Sequence, residues 1–187
     1  LIATFIKKEG IISYNDEITK EILSLNIPDI KKQELITKKL MGIIFSDNFL
    51  RRFRPTIDNL IKENIERNTV GSIEGSLYTS DNFDGTNILK DIRVPTVVFS
   101  GQHDKIIDTY HSYTMANILP NSQRYVFKGV NASHTFIIEM FETFNSIFLN
   151  EIKDIEDNNF KGSNITIYVE NDYVSEEPEN KLLEIHL

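Results

Sequence analysis

The sequence predicts an α/β fold of parallel strands with crossover helices, interrupted by an all-helical insertion. Three observations lead there. Between Val94 and His134 an apolar run, a helical pattern and a second apolar run follow one another, within the roughly 30 residues that a strand, a crossover helix and a parallel strand require. Residues 7–87 repeat helical spacing with almost no strand signal, yet lie between two strand-like segments. Beyond residue 136, Ile137, Phe141, Phe144, Ile147 and Phe148 recur at helical spacing, as a stripe that covers one face of a sheet does.

Taken in order, Leu1–Ile6 is apolar and partly β-branched, the pattern of a buried parallel strand. Asn15 is a candidate cap for a helix running to about Leu25, with Asp16 and Glu17 in its first turn. Pro28 and Asp29 then start a longer helix through Ile30, Leu35, Leu40 and Ile44. Ser46 and Asp47 open a short helix carrying Phe49 and Leu50 that ends before Pro55. Two more helical patterns span 56–67 and 70–78. A strand over 96–100, a helix over 110–119, a strand over 123–127 and a helix over 136–155 complete the α/β part. Residues 164–170 alternate like a further strand, and 179–187 read as the first turns of an amphipathic helix.

Composition narrows the chemistry. The 187 residues contain no cysteine, which rules out disulfides, Cys-ligated zinc and a thiol nucleophile. Residues 1–150 hold 18 acidic and 17 basic side chains, a balance of -1, whereas 151–187 hold 10 and 3, a balance of -7. The balanced main part speaks against nucleic acid as a partner, and the acidic stretch has the composition of a solvated linker. No apolar run approaches the roughly 20 residues of a membrane helix. The expectation is no nucleic acid, no membrane and, on balance, a cytoplasmic setting.

Asp104 and His134 carry the chemical signal. Each follows a predicted strand, and the right-handed crossover between parallel strands brings both strand ends to one edge of the sheet, where open α/β sheets place their ligands. Alone, Asp104 reads as a turn residue and His134 as a satisfied polar one. Together they are two thirds of a catalytic triad. His103 precedes the acid and is a candidate substrate contact, as are Phe49, Phe53 and Ile57 in the helical part, although these three read more simply as core of that part. His111 with Asp108 and His103 has metal-like composition but the placement of solvated loop residues, so neither metal nor cofactor is called for.

From Asp84 to Phe148 the chain resembles the C-terminal half of the α/β-hydrolase fold family, close to its small esterase and enol-lactonase members. The matching pieces are Asp84, Leu89, Ile92 and Pro95, then Gly101–Asp104, Ile118–Asn121, and His134 with Glu139, Phe144 and Asn145. The resemblance implies a core of residues 1–6 and 88–156 and a helical lid over 7–87. It leaves 157–187 as acidic tail, linker or the start of a further domain. It also implies that Asp104 is the acid and His134 the base of a Ser-Asp-His triad cleaving an ester, thioester or lactone of a small-molecule acyl substrate. The family's nucleophile sits on a Gly-x-Ser-x-Gly elbow, which these residues lack. Gly71-Ser72 and Gly75-Ser76 lie in the helical segment, so the serine is expected upstream of Leu1. Three positions depart from the family pattern: Ser133 where Gly is usual, and Asp108 and Phe141 where Pro is usual. They open the alternative of an inactive binding module. A second alternative is a hydrolase in a carrier-protein assembly line, with a covalently linked carrier domain after residue 187. It rests on Tyr173–Ile185, which looks like the entry to such a domain.

Overall fold

The computed structural model describes residues 1–2, 4–162, 166–170 and 185–186. The segment expected to be helical forms α1 (Ile11–Ser24), α2 (Asp29–Ile44), α3 (Asp47–Arg52), α4 (Arg54–Arg67) and α5 (Val70–Asn82). Local chemistry explains their starts. Gly10, at φ 60°, turns the chain into α1, a backbone conformation that costs glycine little. Asn15 consequently lies inside α1 instead of capping it, and its amide donates to the Lys105 carbonyl at 2.9 Å. Ser46 caps α3 by accepting from Phe49 N at 3.1 Å. Pro55 occupies the first turn of α4, where its missing N–H has no partner to lose. Thr69 and Ser72 form a reciprocal capping box at the start of α5, which runs past the expected end at Tyr78. Met41, Phe45 and Ile57 are the buried core of this block.

Two short links mark where the block leaves and returns. Lys7 and Asp84 form an antiparallel bridge, and Gly85 N donates to Ile6 O at 2.8 Å. A single turn, α6 (Thr86–Leu89), then leads to β1 (Thr96–Gly101), α7 (Thr109–Ile118) and β2 (Ser122–Lys128). β1 and β2 are parallel, in register from Thr96 against Ser122 to Gly101 against Phe127. Adjacent residues face opposite sides of the sheet. Val98 therefore packs with Ile6, Leu89, Met115 and Leu119 on the α7 side. Phe99 packs with Tyr125, Phe127, Phe136, Phe144 and Ile147 on the other.

Four expectations need correction. Among the described residues of 1–6, Ile6 is buried and Ile2 bridges to Phe99, but Leu1 and Ile2 remain 48% and 38% exposed where a buried strand was expected. The bridge lies on the side of β1 away from β2, and neither side chain is covered there. The helix expected over 136–155 is two, α8 (Phe136–Glu139) and α9 (Phe141–Glu156), broken at Met140 with φ -120° and ψ 39°. The break leaves Glu139 turned toward the preceding loop while Phe144 and Ile147 face the sheet. Third, the sheet continues beyond residue 157, where the core was expected to end. β3 (Thr166–Glu170) pairs parallel with β2, and its alternation sends Ile167 and Val169 into the core. Finally, Ile185–His186 form a short strand, β4, antiparallel to β3, and not a helix. The rest of the proposed carrier-domain entry lies outside the described residues.

α9 is fastened to the sheet by a buried polar pair. Tyr125 donates its hydroxyl to Glu151, which also accepts from Gln123 at 3.3 Å. Burial raises the Glu151 carboxyl above the usual carboxylate range, and burial with the Glu151 bond raises the Tyr125 phenol above its own. A carboxyl raised by folding contributes its full stability below its unfolded value, about 4.5, and loses it as pH rises through the folded one. Tyr125→Phe removes a donor that favours the ionised form. It is expected to cost about 1–3 kcal/mol at pH 7 and less near pH 4, a difference that urea unfolding at the two pH values reads directly. Equal costs at both would show that Glu151 does not titrate with folding.

Candidate active site

Asp104 and His134 emerge at the same sheet edge, just past the C-terminal ends of β1 and β2. Two backbone bonds stitch the loops that carry them. Gln102 N donates to Phe127 O and His103 N to Ala132 O, both at 2.8 Å. The approach is close because residue 101 is glycine: a Cβ there would lie 2.4 Å from Ser133 O and 2.6 Å from Ala132 O.

The Asp104 side chain is 1% exposed, and its two oxygens divide their work. Oδ1 accepts from Ile106 N and Ile107 N, each at 2.8 Å, and Oδ2 lies 2.9 Å from His134 Nδ1. The backbone bonds fix the carboxylate's rotation, so Oδ2 is aimed at the ring. A carboxylate only accepts, which puts the shared proton on Nδ1 and the imidazole lone pair on Nε2. The His134 side chain is 26% exposed. The pair is thus an oriented imidazole with a buried acid behind it and a basic nitrogen in front.

Two hollows flank it. A cavity of about 420 Å³ is lined by Ile12, Ile36, Met41 and Leu77 of the helical block together with Ile106 and Ile107, the residues whose amides hold Asp104. Lys39 also lines it and donates to Asn15 O at 3.1 Å. Burial lowers its ammonium from the usual lysine range. A smaller hollow, about 270 Å³, lies between α3 and α8, lined by Phe49, Phe53, Asn131 and Ile138.

No family model matches the sequence, and no curated protein does. Solved structures do. A hydrolase from Pseudomonas aeruginosa PA01 superposes with a TM-score of 0.63 at 18% identity, over 80% of this chain and 53% of its own. A thermophilic esterase from Thermogutta terrifontis has a TM-score of 0.63 at 16% identity, over 83% and 55%. This is a partial α/β-hydrolase fold. The esterase EaEST from Exiguobacterium antarcticum adds a TM-score of 0.57 at 15% identity, over 76% and 47%. The chain spans about half the length of these structures.

On the α/β-hydrolase fold the three departures acquire physical accounts. Ser133 does not need a glycine's backbone, because Asn158 is the one non-glycine with positive φ among the described residues. Asp108 caps α7, accepting from Tyr110 N at 2.8 Å. Phe141 opens α9, a first-turn position that suits proline but does not demand it.

The structure treats the other expected residues unevenly. Phe49 and Phe53 pack with ring centroids 4.5 Å apart and planes tilted by 39°, and line the smaller hollow. Ile57 is 2% exposed and belongs to the core of the helical block, because α4 turns it onto Met41 and Phe45. His103 is exposed, held by its backbone. His111 is not a solvated loop residue: it is 2% exposed in α7, edge-on to Phe5 and Tyr110. Gly71 to Ser76 lie within α5, where Ser72 is occupied in the capping box and Ser76 bonds Ser72 O. The larger cavity draws its lining from α1, α2, α4, α5 and the Asp104 turn. That convergence has no sequence signature, since the contributing residues are dispersed over distant segments, apolar and polar alike.

Proposed function

We propose that this chain is the acid–histidine half of a serine hydrolase of the α/β-hydrolase fold, acting on an ester, thioester or lactone of a small acyl substrate. The observation that carries the reading is Asp104 Oδ2 at 2.9 Å from His134 Nδ1, with Oδ1 tied to two backbone amides. In this reading the nucleophilic serine is supplied by residues outside the 187. His134 Nε2 takes the serine proton as Oγ attacks the acyl carbonyl, and Asp104 stabilises the imidazolium that forms. The same proton then passes to the leaving alcohol or thiol. Water, activated by His134 in turn, cleaves the acyl-enzyme and restores the serine. The helical segment 7–87 acts as the lid, and the apolar cavity beside the Asp104 turn receives the acyl chain.

A fluorophosphonate probe applied to the intact protein tests this. Labelling of one serine outside residues 1–187, together with hydrolysis of 4-nitrophenyl acyl esters, is the expected result. Absence of both from folded protein overturns the reading in favour of a binding module.

A further inference from the structure

We propose that Glu139 is a positioning residue that ties the helical block to the histidine loop and so sets the orientation of His134. The inference rests on the hydrolase reading and adds to it a residue outside the Asp104–His134 pair that also lines the smaller hollow between α3 and α8. Three donors converge on Glu139 Oε1. Ser133 Oγ lies at 2.5 Å, Thr135 Oγ1 at 2.9 Å, and the backbone N of Ser46 at 2.9 Å. Ser133 and Thr135 are the immediate neighbours of His134 on either side, so one carboxylate oxygen fixes the backbone that carries the imidazole. The third donor comes from the opposite part of the molecule, the N-cap of α3.

Further bonds run along the same seam. Thr135 N donates to Ile44 O at 3.2 Å, and Thr135 Oγ1, 3.0 Å from that carbonyl, places its single proton between Ile44 O and Glu139 Oε1. Asn48 donates to Asn131 Oδ1 at 3.2 Å. The α2–α3 junction and the 131–139 loop therefore form one hydrogen-bonded unit, with Glu139 at its centre. Displacing the helical block would pull on both neighbours of His134.

The chemistry of the site favours positioning over mere stability. Glu139 Oε2 is buried without a hydrogen-bond partner among the described residues. A carboxylate with one buried, unsatisfied oxygen is a costly way to hold two segments together. What it provides is charge-assisted, short and directional bonds, which is what a side chain needing angular precision requires. The serine that replaces the family's usual glycine before the histidine also finds its purpose here, because glycine has no hydroxyl to offer Glu139.

The test uses the intact protein and three measurements: kcat and KM for a 4-nitrophenyl ester, the exchange-protected Nδ1–H proton signal of His134 by NMR, and amide exchange over residues 44–48. Glu139→Ala is expected to lower kcat at least tenfold with KM within twofold, to broaden the His134 signal and to speed exchange at 44–48. Glu139→Gln, which keeps an acceptor oxygen, is expected to lose about threefold and to retain the signal. If Glu139→Ala does not fold, the pair Ser133→Ala and Thr135→Val removes the two hydroxyls instead and carries the same expectation as Glu139→Ala. Unchanged kcat and an unchanged His134 signal in folded variants overturn the proposal. So does a fall in kcat that only tracks the fraction folded. Should the wild-type protein turn over no ester while the His134 signal still responds to Glu139, the coupling stands and the hydrolase reading alone fails.

Discussion

Replacing His134 with alanine in the intact protein is expected to lower ester turnover by about 10⁴-fold, with little change in stability. The activity loss follows from chemistry: a serine hydroxyl at neutral pH is a weak nucleophile until an imidazole accepts its proton. Loss of one triad member typically costs that much, the remainder coming from binding and oxyanion stabilisation. The small stability effect follows from position, since the His134 side chain is 26% exposed and its ring has one hydrogen bond among the described residues, to Asp104. Asp104→Asn is expected to reach a similar loss by a different route. An asparagine amide turned toward His134 would donate to Nδ1 and hold the imidazole in the wrong tautomer. Steady-state turnover of a 4-nitrophenyl ester and the urea midpoint measure both effects. A His134→Ala protein within tenfold of wild type would remove the pair from the mechanism.

Gly101→Ala is expected to be the most damaging single methyl group in the described chain's active-site region. The new Cβ would meet Ser133 O at 2.4 Å, Ala132 O at 2.6 Å and Ala132 C at 2.9 Å. All three are backbone atoms, so no side chain can swing aside, and either β1 or the histidine loop must move. Overpacking of this kind costs about 1–3 kcal/mol and sometimes more. Because the displaced carbonyls immediately precede His134, misplacement of its ring by about 1 Å is expected to cost roughly 100-fold in kcat. Gly75 is the matching control, a helical glycine with open space where its Cβ would be. The urea midpoint and kcat of the two alanine variants should diverge sharply. A Gly101→Ala protein as stable and active as Gly75→Ala would show that the two loops are not locked together.

Much of this architecture is legible in the chain itself. The strand, helix and strand between Thr96 and Lys128 were readable because a buried parallel strand must be continuously apolar and a crossover helix must be amphipathic. The α/β character and the pairing of Asp104 with His134 at one sheet edge follow from those patterns and from the handedness of the crossover. The helix starts at Ser46 and Thr69 are local capping chemistry, and Pro28 breaks the chain before α2. Element ends were less legible. Asn15 has the composition of a cap, but Gly10 turns the chain first, and nothing in a window of helical periodicity ranks one over the other.

What the sequence by itself determined, then, is the layered fold and the meeting of Asp104 with His134 at one sheet edge, because both rest on periodicity and on spacing along the chain. What the tertiary structure alone decided is everything that depends on which distant segments meet. It joined β3 to the sheet, buried Ile57 and His111, and gathered the larger cavity from four helices and the turn that holds Asp104. It also brought Ser46, Ser133 and Thr135 onto one oxygen of Glu139. Hydrogen bonds between residues some 90 positions apart leave no trace in local pattern, since any of those side chains would be equally at home on a solvated loop.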